Sequence, residues 1–251
     1  TCGISRSDKE YADAPKRNSI YHWKTTFAPD SAEIDFLHRH NIERLYLRMF
    51  DVSIQRNYAE NSNDIIPIAT TKFEAPIPDS LEVVPVTFIT IDALRLMRGD
   101  EARYAELIVE RLLAMCSYNR CGKISEIQFD CDWTSSTKDI YTRLCKVAEG
   151  ILEDKGIDLS ITVRLHQLSE SAPVADRGVL MLYNTGPIKD FDTKNSILDI
   201  RDAKPYLKNL KYPIPLDYAY PVFGWGVKFR DEKFVSIVQQ ADTVQADNEY
   251  I

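Results

Sequence analysis

The sequence predicts an α/β protein that folds as one closed (β/α)8 barrel of the TIM-barrel type. Apolar segments of strand length alternate along the chain with longer segments whose apolar residues recur at helical spacing. Strands that are joined by helical crossovers pair in parallel. Eight such strands in a chain of 251 residues suit a closed barrel better than an open sheet.

The first half of the chain supplies four of the predicted strands. Asp30 and Ser31 are the N-cap signal of a helix after the first strand, and a second helix is predicted at residues 101–118, with Arg and Glu on its outer face. The polar, proline-containing segment 53–81 predicts a long loop or an inserted hairpin. The strands are predicted at residues 19–25, 42–52 and 81–90 and in the segment that begins at Glu126.

The second half continues the alternation of helices and strands. A helix is predicted at residues 138–155 and ends at Gly156, a residue type that favours the helix C-cap. A second helical region is predicted at residues 195–210. The last four strands of the barrel are predicted at residues 159–168, 178–183, 214–220 and 223–229.

The two ends of the chain differ from the barrel. Residues 1–18 are predicted as a polar leader, residues 19–230 as the barrel domain, and residues 231–251 as a C-terminal helix or tail. Cys2 precedes a small residue and a polar tether, as in a bacterial lipoprotein whose signal peptide has been removed. This pattern predicts a lipid anchor at Cys2 and a location in the cell envelope. The alternative is an incidental thiol.

Composition and motif content argue against several classes of function. The net charge of −7 and the isoelectric point near 5.2 disfavour nucleic-acid binding, and no apolar run is long enough to span a membrane. Neither GxGxxG nor GxxxxGK[ST] occurs, so no dinucleotide, nucleotide or other cofactor is predicted. The cysteines lack the spacing of a zinc site. Cys116 and Cys121 could form a disulfide in an oxidising compartment, but their spacing alone does not establish one.

The segment from Glu126 to Thr134 carries the strongest chemical signal. Side chains alternate along a strand, so Gln128, Asp130 and Asp132 share one face, and the apolar residues between them share the other. Unpaired buried carboxylates are costly, and a row of acids therefore predicts a wet cleft, a metal ion or compensating cations.

Other polar and aromatic residues follow the remaining strands, at the end of the barrel where active sites are built. Aromatic rings beside carboxylates and amides are suited to stacking against sugar rings and hydrogen bonding to them. A glycan is therefore the predicted ligand. The predicted substrate-binding residues are Trp23, Arg48, Asp51, Arg164, His166, Tyr183, Asn184, Tyr218, Tyr220 and Trp225.

The fourth strand resembles the motif of chitinase-type glycoside hydrolases, in which aspartates alternate on a barrel strand and a following glutamate donates the proton. Asp130 and Asp132 match the two aspartates, and Trp133 matches the hydrophobic residue before the glutamate. Thr134 occupies the position of the glutamate. The resemblance thus implies a glycoside hydrolase-like barrel without the family's general acid.

The chain as a whole also resembles uncharacterised lipoproteins of gut Bacteroidetes. That resemblance implies a cell-envelope location and no established activity. The segments that carry it are residues 21–27, 45–52 and 220–226.

The leading hypothesis is an envelope-associated glycoside hydrolase-like protein that acts on or binds a glycan, with Asp130, Asp132 and Asp217 as the catalytic acids. In the pairing of Asp132 with Asp217, one acid would protonate the glycosidic oxygen while the other attacks the anomeric carbon. A retaining pair needs carboxyl groups about 5 to 5.5 Å apart, and an inverting pair about 6.5 to 9.5 Å. Repulsion by Asp130 would raise the pKa of its neighbour.

Three other interpretations stay open from the sequence. The first is a non-catalytic glycan-binding or scaffold lipoprotein that lacks the general acid. The second is a structural ion network in which Arg48 and Arg164 neutralise the strand acids. The third is a metal-dependent hydrolase, because carboxylates and imidazole suit divalent cations. Its candidate ligands are Asp51, Asp130, Asp132 and His166.

Overall fold

The computed structural model describes residues 17–208 and 210–238, which form a mixed α/β fold. The helices are α1 (Ser31–Arg39), α2 (Ile91–Leu96), α3 (Glu101–Tyr118), α4 (Lys138–Glu153) and α5 (Ile200–Leu207). The strands are β1 (Asn18–His22), β2 (Thr26–Phe27), β3 (Ile42–Asn57), β4 (Ser62–Ile68), β5 (Lys72–Phe73), β6 (Glu82–Ile89), β7 (Glu126–Asp130), β8 (Asp158–Val163), β9 (Arg177–Met181), β10 (Leu216–Ala219), β11 (Gly226–Arg230) and β12 (Lys233–Val238).

The main sheet is parallel and curled. Its strands lie in the order β1-β3-β6-β7-β8-β9-β10, and β4 adds an antiparallel edge to β3. Side chains from β3 and β6, near one end of this strand order, pack in one cluster with side chains from β9, near the other end. This contact requires the sheet to curve towards itself. The members of the cluster are Tyr46, Val84, Val86, Val179 and Met181.

The predicted closed barrel of eight strands is wrong, because this curled sheet contains seven parallel strands and stays open in the described residues. The predicted eighth strand overlaps β11, which pairs instead with β12 in a separate antiparallel hairpin. Only residues 220–225 separate β10 from β11, whereas a parallel crossover needs about a dozen residues. Asp231 and Glu232 have positive φ angles of 48° and 61°, as a tight hairpin turn requires.

Other differences lie in the connections. The segment 53–81 was predicted to be a long loop or an inserted hairpin. It contains a hairpin, which β3 and β4 form. The predicted strand 159–168 ends at Val163, and a 3₁₀ helix follows at Leu165–Ser169. In the described part of the C-terminal segment, Lys233–Val238 form β12, and the rest of the predicted helix or tail lies outside the described residues.

The main core lies between the sheet and the helices α3 and α4, and it determines which face of β7 turns inward. Ile127, Phe129, Cys131 and Trp133 are buried in this core, as the predicted alternation requires. The opposite face carries the acids into the concave side of the sheet. Segment 126–134 is therefore oriented as predicted.

Several predictions about the ends and the cysteines can be compared with the structure. Cys116 and Cys121 are buried free thiols, so the disulfide that the sequence left open is not formed here. No helix within the described residues is long and apolar enough to cross a lipid bilayer. Cys2 lies outside the described residues, and its lipid anchor stays a prediction.

Candidate functional site

A cleft of about 740 Å³ opens at the carboxyl ends of the parallel strands. Nine of the predicted site residues line it, although they are spread over the chain from the end of β1 to the end of β9. Parallel strands end at the same edge of a sheet, which brings these side chains together. The nine residues are Trp23, Arg48, Asp51, Asp130, Asp132, Arg164, His166, Tyr183 and Asn184.

Arg164 organises the acids of β7. Its Nε donates to Asp132 Oδ1 at 2.5 Å, and its Nη2 donates to Asp130 Oδ1 at 3.0 Å. The Thr162 hydroxyl donates to the same Asp130 oxygen at 2.5 Å. The guanidinium carbon of Arg164 lies 5.7 Å from the centre of the Tyr183 ring, which covers it on one side. One cation thus holds both carboxylates.

The two carboxylates differ in their access to solvent. The Asp130 side chain is buried, whereas the side chain of Asp132 is 47% exposed. Burial raises the pKa of Asp130 above its ordinary value, against the opposing effects of Arg164 and Thr162. Burial is the largest single influence on Arg164 and lowers the pKa of its guanidinium, but Asp130, Tyr183 and Asp132 together outweigh it and raise that pKa. Asp132 is therefore the acid of this pair that a ligand can reach.

A second arginine and carboxylate pair forms another wall of the cleft. Arg48 donates through Nε to Asp51 Oδ1 at 2.8 Å, and its Nη2 contacts the other carboxylate oxygen. Its Nη1 donates to the backbone oxygen of Trp23 at 3.0 Å. This contact holds the end of β1 against β3 and places the indole at the cleft. The arginines that the sequence offered as a structural network do pair with the acids, and they leave a cleft between them.

Four predicted residues lie elsewhere. Asp217, Tyr218 and Tyr220 line a second cavity of about 980 Å³ between β1 and β10. Trp225 lines neither cavity; its Nε1 donates to Ser196 Oγ at 3.3 Å. The structure therefore does not place Asp217 in the cleft with Asp132. The open sheet accounts for this arrangement, because β10 forms one edge of a gap.

Thr134 also lies outside the lining of the cleft. Its hydroxyl is hydrogen-bonded to Ser136 at 3.0 Å, and its backbone NH donates to the Thr137 hydroxyl at 3.0 Å. These contacts form the turn that leads into α4. The position that the resemblance assigns to a general acid therefore serves the start of a helix here.

The sequence interpretation missed some residues of the site. Thr162 supports Asp130 from β8, and its signal was its place on the inward face of a strand next to the acids. Tyr206 reaches the cleft from α5, and Thr185 from the loop after β9. No local pattern marks these two residues, since their position depends on how the connections fold over the sheet.

The third interpretation required ligands for a metal ion. In the part of the chain that the structure describes, no three His, Cys, Asp or Glu side chains are placed to share one ion. Asp51 bonds to Arg48, while Asp130 and Asp132 bond to Arg164. The acids of the cleft are thus oriented by arginines, and the four proposed ligands do not converge.

The sequence matches no protein-family model and no curated protein. Solved structures with similar folds include a chitinase from Chromobacterium violaceum, with a TM-score of 0.54, 12% identity, and coverage of 89% of this chain and 73% of that chain. The spore cortex-lytic enzyme SleL from Bacillus cereus has a TM-score of 0.51 and 13% identity, with 89% of this chain and 55% of that chain covered. SleL from Bacillus megaterium gives 0.50 and 13%, with 87% and 53% covered.

These similarities establish the fold: a barrel-like α/β architecture with a curled parallel sheet, which glycan-cleaving enzymes also adopt. This chain spans about half the length of the two SleL enzymes. A shared fold leaves the chemistry to be argued from the site.

Proposed function

We propose that this protein binds a glycan in the cleft at the carboxyl ends of the strands and does not hydrolyse it. The observation that carries the proposal is the arrangement of Arg164, which holds Asp130 and Asp132 together beside an open cleft. The fixed carboxylate of Asp132 accepts hydrogen bonds from sugar hydroxyls. Trp23 and Tyr183 line the same cleft and supply aromatic surface for the ring of a sugar.

The same arrangement argues against acid catalysis. A glycosidase needs a carboxylic acid that is protonated and within reach of the glycosidic oxygen. Asp132 is accessible, but its Oδ1 already accepts a hydrogen bond from Arg164 Nε at 2.5 Å. Asp130 has a raised pKa, yet it is buried and already accepts the Thr162 hydroxyl. Thr134 has no acidic group.

Hydrolysis is the second candidate, and one observation favours it. The Asp132 carboxylate is 47% exposed within a cleft large enough for a sugar ring. The similar folds of a chitinase and two spore cortex-lytic enzymes also fit a glycan as the ligand. In this alternative Asp132 acts on the bound glycan directly.

A glycan microarray followed by product analysis tests the proposal. We expect the purified protein to bind one class of glycan and to release no new reducing ends from it. Tyr118→Ala is the matched control, because this exposed tyrosine at the end of α3 lines neither cavity. Binding to no printed glycan would refute glycan recognition. Release of reducing ends that Asp132→Asn abolishes while binding persists would establish hydrolysis instead.

A further inference from the structure

The gap in the sheet forms a groove that opens beside the cleft. The seam groove, as we call the cavity of about 980 Å³ between β1 and β10, is lined on one side by residues of β1 and β3 and on the other by residues 216–223. Trp23, Met181 and Tyr183 line both this groove and the cleft. The two cavities therefore meet at these three side chains.

Three aromatic rings line the inner wall of the seam groove. The rings of Trp23 and Tyr21 have centroids 5.2 Å apart and planes inclined by 9°. Tyr21 and Tyr46 follow at 4.6 Å and 19°. The Tyr21 hydroxyl donates to Gln128 Oε1 at 2.7 Å, which fixes the middle ring. The stack leads from the mouth of the cleft into the groove.

The outer wall is an exposed apolar segment. Tyr218 is 49% exposed and Tyr220 is 64% exposed, and Val222 and Phe223 continue the surface. Contiguous exposed apolar side chains on a soluble protein mark interaction sites. This segment directly precedes β11, where the chain leaves the parallel sheet.

We propose that the seam groove binds the continuation of the glycan chain held in the cleft, so that the ligand is a linear oligosaccharide or polysaccharide. This inference rests on the proposed glycan binding. Pockets of about 300 to 1,000 Å³ each hold one ligand of small-molecule size, so the joined cavities exceed the needs of a monosaccharide or disaccharide. The exposed rings of Tyr218 and Tyr220 on the outer wall suit the apolar faces of successive sugars, and the stacked rings of the inner wall form its rigid opposite side.

An extended peptide that adds a strand in the gap is the competing occupant, since β1 and β10 each pair with a single neighbour in the described residues. Strand addition depends on backbone hydrogen bonds along an edge. The features of this groove are the exposed aromatic side chains of its outer wall and its continuity with the cleft. These observations favour the glycan chain.

Oligosaccharide ladders test the inference. The probes are chitin, cellulose and xylan oligomers of about two to eight units, measured by calorimetry against the wild type, a Tyr218→Ala and Tyr220→Ala double variant, and Tyr118→Ala. We expect affinity for the bound ladder to rise with length in the wild type and in Tyr118→Ala. The loss of two aromatic stacking contacts weakens binding roughly tenfold. We therefore expect the double variant to bind the longest oligomer roughly tenfold more weakly.

The outcomes separate the two proposals. The proposal for the seam groove would be overturned if affinity did not change with oligomer length, or if the double variant kept the full length dependence. Either result would leave glycan binding in the cleft intact. Absence of binding to every ladder and to every glycan on the microarray would overturn both. Both tyrosines are exposed, so circular dichroism is expected to show the double variant folded like the wild type.

Discussion

Two networks of arginine and carboxylate groups lie at opposite ends of the curled sheet, and they differ in what surrounds them. At the amino ends of the strands, Glu126 lies between Arg44 at 2.9 Å and Arg177 at 3.6 Å, and its side chain is 1% exposed. At the carboxyl ends, Arg164 lies between Asp130 and Asp132, and Asp132 faces the cleft.

The comparison shows that ion pairing alone does not identify a binding site. Both networks contain a buried acid whose pKa burial raises, Glu126 in one and Asp130 in the other. The carboxylate of Glu126 is enclosed by its partners, because the Tyr46 hydroxyl also donates to it at 3.3 Å. The network around Arg164 leaves one carboxylate accessible. The first network fits a structural role, and the second lies at the site of the proposed glycan binding.

The largest effect is expected from removing the buried acid of the structural network. Glu126→Ala leaves Arg44 and Arg177 without their shared partner, and we expect the free energy of unfolding to fall by about 3 kcal/mol. Asp139→Ala is the control, since this exposed carboxylate also pairs with an arginine, and we expect its loss to cost much less than that of Glu126. Urea unfolding measures both. Equal losses in the two variants would contradict the structural role of Glu126.

A second substitution sharpens the difference between the networks. Arg164→Gln removes the cation that positions Asp130 and Asp132, and we expect glycan affinity to fall at least tenfold, about 1.4 kcal/mol. The free energy of unfolding should fall by less than in Glu126→Ala, because water reaches Asp132 and the buried Asp130 keeps the hydrogen bond from Thr162. Calorimetry and urea unfolding report the two effects.

The control for this substitution is Arg98→Gln, which removes an exposed arginine that pairs with Asp139 away from the cleft. We expect its glycan affinity to match that of the wild type. If Arg164→Gln binds as well as the control, the cleft network has no part in binding.

The smallest expected effect is a change with pH in the stability that Asp130 contributes. The folded state raises the pKa of Asp130 above its unfolded value of about 3.9, so the stability that Asp130 contributes is present below that value and is lost as pH rises through the folded pKa. We expect the stability of the wild type relative to Asp130→Asn to decrease with rising pH across this acidic range. Thermal unfolding of both proteins from pH 3 to 8 measures the difference. A constant difference would contradict the raised pKa.

Much of the secondary structure was predictable because its signals are local. The capping box of α1 joins Asp30 and Glu33, and α3 begins and ends where the helical period predicted. The eighth barrel strand was wrong because hydrophobic content identifies a strand without identifying its partner. The short connection before β11 was the local signal that excluded a parallel crossover.

The candidate site was predictable to the extent that it follows from parallel strands. Residues at strand ends share one edge of the sheet, and nine of the predicted side chains do line one cleft. The pairing of Asp132 with Asp217 assumed a closed barrel, and the gap between β1 and β10 separates them into two cavities. Tyr206 and Thr185 come from connections, whose course has no local code.

The sequence by itself determined the alternating helices and strands, the inward row of acids on β7 and the absence of a glutamate at Thr134. These follow from side-chain periodicity and residue identity, which are local properties. Only the tertiary structure decided that the sheet stays open over the described residues, that Arg164 pairs with both acids, and that a groove adjoins the cleft. Such features depend on contacts between residues distant in sequence, and their free energies arise only once the sheet has curled.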